Sequence, residues 1–166
     1  MSYKYLGIYL NDHLAITIGT HELLNRTLEN NRGTDLGAFV NALVLDAEQE
    51  RKAIEALMSE QGIAQNPVKA AGAWLAERIG RLKLNGDLTG YSDLSRLVEI
   101  EAAGLALESK RVFWDALNQV GFTEAGGLVT KSLARRAEQQ IEELQVHRRN
   151  AAEKALGLRA PSLAEM

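Results

Sequence analysis

Five ionisable residues stand where apolar ones would be expected: His13, Asp46, Glu50, Glu101 and His147. His13 lies in "YLNDHLAITIGTHELL", on the line Leu6, Leu10, Thr17, Thr20, Leu24 and Leu28, whose three- and four-residue steps are those of one helix face. Asp46 and Glu50 share a line with Phe39, Leu43, Ile54 (or Ala53) and Leu57. Glu101 joins Leu94, Leu97, Leu105, Glu108 and Val112, and His147 (or Arg148) joins Leu133, Ala137, Ile141, Leu144 and Ala151. Burying a charge costs free energy unless it is paired or bound to a metal. One such residue is unremarkable, but several at matching heights on different helices form a candidate site. Carboxylates with a few imidazoles suit a hard cation such as iron or manganese. A dinuclear centre of that kind could oxidise ferrous iron, reduce peroxide or activate dioxygen. The same residues could instead be satisfied pairs that fix helix register, with His13 against Glu50.

Helices must position these groups. The first is expected from about Tyr3 to Asn31, ended by "NNRGTD", and the second from about Leu36 to Gln61, closed by Gly62. The short link between them makes them antiparallel neighbours. A shorter helix is expected over Pro67 to Leu82, followed by the turn-rich "KLNGDLTGYSD". Long helices then run from about Asp93 to Val120 and from about Leu128 to Leu156, joined by "GFTEAGG". No strand, repeat or low-complexity tract is expected. Pairing about the two loops puts His13 near Glu50, Thr17 near Asp46, Glu101 near His147 and Glu108 near Glu138. The link from Ile63 to Ser92 is about 30 residues, far beyond the roughly 2–8 usual between bundle neighbours. Two hairpins joined by one long crossover is the ferritin-like arrangement.

Composition narrows the functions. The 166 residues suffice for one domain with a sizeable core. Net charge is -3, which gives no general attraction to nucleic acid or an anionic membrane. There is no cysteine, so thiolate nucleophiles, disulfides and cysteine-ligated metal sites are excluded. Aromatics make up 5%, too few for a base-stacking platform. No apolar run approaches the roughly 20 residues that span a bilayer, and the N-terminus has no signal-peptide pattern, so a cytoplasmic protein is expected. Arg78, Arg81 and Lys83 read as a solvated helix face, and the mixed charges around Arg135, Arg136, Glu138, Glu142, Arg148 and Arg149 as an exposed, salt-laced helix. Residues 157–166 are expected to be a loose tail of a single domain over 1–166.

The segments "YLNDHLA", "VKAAGAWLAERIGRLKLNG", "GYSDLSRLVEIE" and "SKRVFWDAL" resemble the ferritin-like superfamily, within it a bacterial branch that lacks Glu-x-x-His. The resemblance implies an all-α ferritin-like four-helix bundle of two antiparallel hairpins, with a short helix in the crossover. It also implies a site at Glu50, Glu101 and His147. The metal-binding pattern of the superfamily has Glu-x-x-His on two helices; here Leu10, Ile18 and Leu144 stand three residues before the histidines. The nearest approach is Glu143 and His147, four apart on one face.

The expectation is therefore an interaction or scaffold protein whose polar core is structural, with no cofactor firmly implied. The alternative is a diiron- or dimanganese-type oxidoreductase or iron-handling protein that binds iron or manganese through His13, Asp46, Glu50, Glu101 and His147. A pocket for a small apolar ligand is a third reading. A homodimer anchored by Trp74 and Trp114 is expected, with a protein partner conceivable and neither nucleic acid nor membrane as partners.

Overall fold

A computed structural model describes residues 4–66 and 90–157. Its helices are α1 (Lys4–Asn30), α2 (Asp35–Glu60), α3 (Asp93–Gln119) and α4 (Thr130–Leu156). The four long helices and both short loops fall where the sequence pattern puts them. The short helix expected over 67–82, with Trp74 and the basic residues Arg78, Arg81 and Lys83, lies outside the described residues.

Local chemistry sets the ends. Thr34 and Ser92 are extended, and their hydroxyls accept from the backbone N–H groups of Gly37 and Ser95, capping α2 and α3. At the other ends α2 and α3 stop in the same way. Gly62 (φ 64°) donates to the Ser59 carbonyl and Ile63 to that of Met58; Gly121 (φ 98°) donates to Asn118 and Phe122 to Leu117. This is the Schellman pairing, in which glycine takes the left-handed position. The apolar residue after each glycine then folds back: Ile63 and Phe122 both pack on the core that holds Met58 and Leu117.

The loop between α3 and α4 holds a small antiparallel pair, β1 (Glu124–Ala125) with β2 (Leu128–Val129). The absence of strands expected from the sequence is corrected here, as is the start of the last helix, at Thr130 rather than Leu128. Gly126 (φ 53°) and Gly127 (φ 78°) turn the corner with positive φ at both positions, as a two-residue hairpin requires. The turn rests on α2: a Cβ on Gly126 would lie 3.0 Å from the Ala53 Cα.

α1 packs on α2 and α3 on α4, each pair joined by a short loop, so each pair is antiparallel. α1 also packs on α3, with Arg26 against Glu99 near one end and His13 against Phe113 towards the other, so these too run antiparallel. Phe39 meets His147 and Glu50 meets Arg136, which makes α2 and α4 antiparallel. The order is thus up, down, down, up. α2 ends at the opposite end of the bundle from the start of α3, and the connection must travel the full length. Its first described part climbs along α1, where the Asn11 side chain donates to the Ala64 carbonyl and accepts from the Asn66 N–H.

The core divides in two. One cluster includes Leu24, Phe39, Leu43, Ile100 and Leu107; the other includes Leu10, Ile54, Leu57, Phe113, Trp114 and Leu117. The stripe expected on the Asp93 helix is partly misphased. Leu97 is buried, but Glu101, Leu105, Glu108 and Val112 face outward, and the inner face carries Ile100, Ala103, Leu107, Trp114 and Leu117. Two apolar lines compete on this helix, and the bulkier aromatic one wins the core because it buries more surface.

Candidate functional site

A polar layer lies between the two apolar clusters, and four helices contribute to it. Glu50 of α2 is 1% exposed and Asp46, one turn earlier, is half-buried. The Trp114 indole N–H donates to Glu50 Oε2 (3.0 Å). Arg136 Nη2 donates to Oε1 (2.9 Å), and Lys110 Nζ lies 3.2 Å from the same oxygen. Lys110 also donates to Gln140 Oε1 (2.6 Å), Gln140 Nε2 donates to Asp46 Oδ2 (2.6 Å), and Arg136 Nη1 closes the circuit 3.0 Å from Asp46 Oδ1. Two acids and two bases thus form a neutral ring across α2, α3 and α4. Burial pushes the Lys110 amine below its usual pKa, against the pull of Glu50. Arg136 Nε is buried and makes no hydrogen bond.

Beside the ring is a cavity of about 20 Å³, room for one water, lined by His13, Thr17, Thr20, Ala47, Glu50 and Lys110 among others. Small residues at one height on three helices leave this gap. His13 therefore does come to the same region as Glu50. Its ring, however, stacks on Phe113 (centroids 4.4 Å, planes at 23°) and meets Tyr9 edge-on at 4.6 Å. Burial lowers its pKa, with Asp12 opposing. The imidazole sits on the core-facing stripe because it packs as an aromatic. The expected His13–Glu50 pair is replaced by Arg136–Glu50 and Lys110–Glu50.

The other expected site residues stand apart. Glu101 is exposed and, among the described residues, reaches only Arg148, at 3.9 Å. His147 stacks on Phe39 at 5.1 Å rather than meeting Glu101. The structure brings together Asp46, Glu50 and, at the cavity, His13; it leaves Glu101 and His147 elsewhere. Among the described residues no three His, Cys, Asp or Glu side chains form a group able to hold a metal ion. Trp114, expected at a dimer interface, is fully buried as the donor to Glu50. Arg136, expected on the exposed face of its helix, turns inward.

A second buried acid was not apparent from the sequence. Glu99 is 0% exposed, where α1, α3 and the end of the crossover meet. The Tyr91 hydroxyl donates to its Oε2 (2.9 Å) and itself accepts from Asn31 Nδ2 (3.0 Å). Arg26 Nε comes within 2.9 Å of Oε1, yet that oxygen accepts no hydrogen bond, so the contact is ionic and off the N–H direction. Burial raises the Glu99 pKa, against Tyr91 and Arg26, and burial likewise raises that of Tyr91. The signal available in the sequence was Glu99 one residue from Ile100, on the inner rather than the outer line of its helix.

Comparison with protein-family models, curated proteins and solved structures finds no match to this chain. Among the described residues no helix is long and apolar enough to cross a membrane.

Proposed function

We propose that the protein is a ferritin-like bundle that serves as a non-catalytic interaction or scaffold protein, its central polar layer being structural. The observation that carries this reading is that both Glu50 oxygens are already engaged by the protein's own donors. These oxygens receive Trp114, Arg136 and Lys110, and the two cations balance Glu50 and Asp46. A metal ion here would have to displace an arginine and a lysine from a buried carboxylate, and would meet their repulsion. The ferritin-like part of the reading is supported by the up-down-down-up order with its single long connection. It is supported too by the resemblance of "YLNDHLA" and "GYSDLSRLVEIE" to that superfamily.

Thermal unfolding with ferrous iron or manganese tests the reading. A ligand of the folded state adds RT ln(1 + [L]/Kd), about 2.7 kcal/mol at a hundredfold excess over Kd. The melting temperature is expected to stay where it is. A rise that disappears in Glu50→Gln would overturn the structural reading in favour of a dimetal oxidoreductase or iron-handling protein.

A further inference from the structure

The ring of Asp46, Glu50, Lys110, Arg136 and Gln140 is built from α2, α3 and α4. α1 reaches the same layer at the cavity, through His13, Thr17 and Thr20. The polar groups around that cavity call for a particular occupant. Thr17 gives its hydroxyl hydrogen to the His13 carbonyl (2.8 Å) and Thr20 to that of Ile16 (2.7 Å), which leaves both oxygens as acceptors. Burial favours the neutral His13 imidazole, which has one accepting nitrogen. Lys110 is the donor. Its ammonium has three N–H groups; Gln140 and Glu50 take two, and the third has no partner among the described residues. The volume of about 20 Å³ exceeds the roughly 10–15 Å³ that one water needs.

We propose that this cavity is a binding site for a single structural water, which accepts from Lys110 and donates to α1. The water joins to the ring the one long helix that gives the ring no side chain. Glu50 on the same wall disfavours an anion of similar size, and Lys110 disfavours a cation. A dry cavity would leave the third Lys110 N–H buried without a partner. Ala47 on α2 and Ala106 on α3 make the room, being small where the other layer residues are long. The proposal deepens the structural reading of the layer and rests on it for the ring. A metal-dependent melting shift would overturn that reading, whereas the water is measured without added metal, so the two fail separately.

Oxygen-17 relaxation dispersion of the native protein is expected to show a long-lived internal water. Thr17→Val with Thr20→Val keeps the shape of the wall and removes two acceptors. This double variant is expected to lose the dispersion of that water and to melt at a lower temperature than the native protein. Ala106→Val fills the gap from the opposite wall and is expected to lose the same dispersion while keeping the helical circular dichroism spectrum. If the cavity were dry, both threonine hydroxyls would serve their own helix alone, and valine would leave the melting temperature unchanged or raise it. Equal dispersion in the native protein and in Ala106→Val would overturn the proposal. So would a double valine variant that melts no lower than the native protein.

Discussion

At the scale of the residue, Glu50 shows how a buried charge is held. It is 1% exposed and is tolerated because Arg136, Lys110 and Trp114 supply what water would have supplied. Glu50→Leu leaves Lys110 without its acid while Asp46 still answers Arg136, and is expected to cost about 3–5 kcal/mol in urea unfolding. Glu50→Leu with Lys110→Met removes one acid and one base, leaves Asp46 paired with Arg136, and is expected to recover most of that loss; an equal loss in the double variant would refute the account. Glu99 and His13 give opposite pH signatures. Burial raises the folded pKa of Glu99, so the stability it contributes is full below the ordinary glutamate value and is lost as pH rises through the folded value. Glu99→Gln, neutral throughout, should therefore gain on the native protein as pH rises across that window. Burial lowers the folded pKa of His13, so its contribution is full above 6.5 and is lost as pH falls through the folded value. His13→Phe should gain on the native protein as pH falls below neutral. Unfolding free energies at a series of pH values would check both, and parallel curves for native and variant would contradict them.

At the scale of the element, the hairpin between α3 and α4 separates two glycines that look alike in sequence. Both have positive φ, but only Gly126 lies against α2, where a Cβ would come within 3.0 Å of backbone; Gly127 has nothing within 4 Å. Gly127→Asn is expected to be tolerated, since asparagine accepts the left-handed region at small cost. Gly126→Ala is expected to lose about 1–3 kcal/mol from the strained dihedral, with the contact on Ala53 adding to it. Melting temperatures that fall equally in the two variants would show that the turn, not its seat on α2, sets the cost. The same element explains a boundary that the sequence misplaces. Leu128 and Val129 continue the apolar rhythm of the last helix, but pairing with Glu124 and Ala125 draws them into β2.

At the scale of the molecule, a neutral polar ring and a water-sized gap divide two apolar clusters. Helices running through both clusters tie them together, so unfolding is expected to be a single transition. In a Trp74→Phe background, Trp114 fluorescence reports one cluster while far-ultraviolet circular dichroism reports all helices. Coincident urea curves are expected. An early fluorescence transition would mean that the end holding Phe113, Trp114 and the hairpin opens as a unit of its own.

The sequence by itself determined the elements. Three- and four-residue spacing, Thr34 and Ser92 before their helices, and Gly62 and Gly121 after theirs are local signals, and they set four long helices and two short loops. It also singled out Asp46, Glu50 and His13 as polar residues facing inward, because a stripe is visible along one chain segment. What fills the space opposite them is a property of other segments. That Arg136 and Lys110 answer Glu50, that His13 stacks on Phe113, and that Glu101 and His147 fall outside the layer follow from rotation and height between helices. A turn of about 100° per residue makes such relations sensitive to a single position. The Asp93 helix was the decisive case: with two apolar lines at helical spacing, periodicity cannot choose between them. Packing chose the line with Phe113 and Trp114, and in doing so turned Leu105 and Val112 outward and buried Glu99.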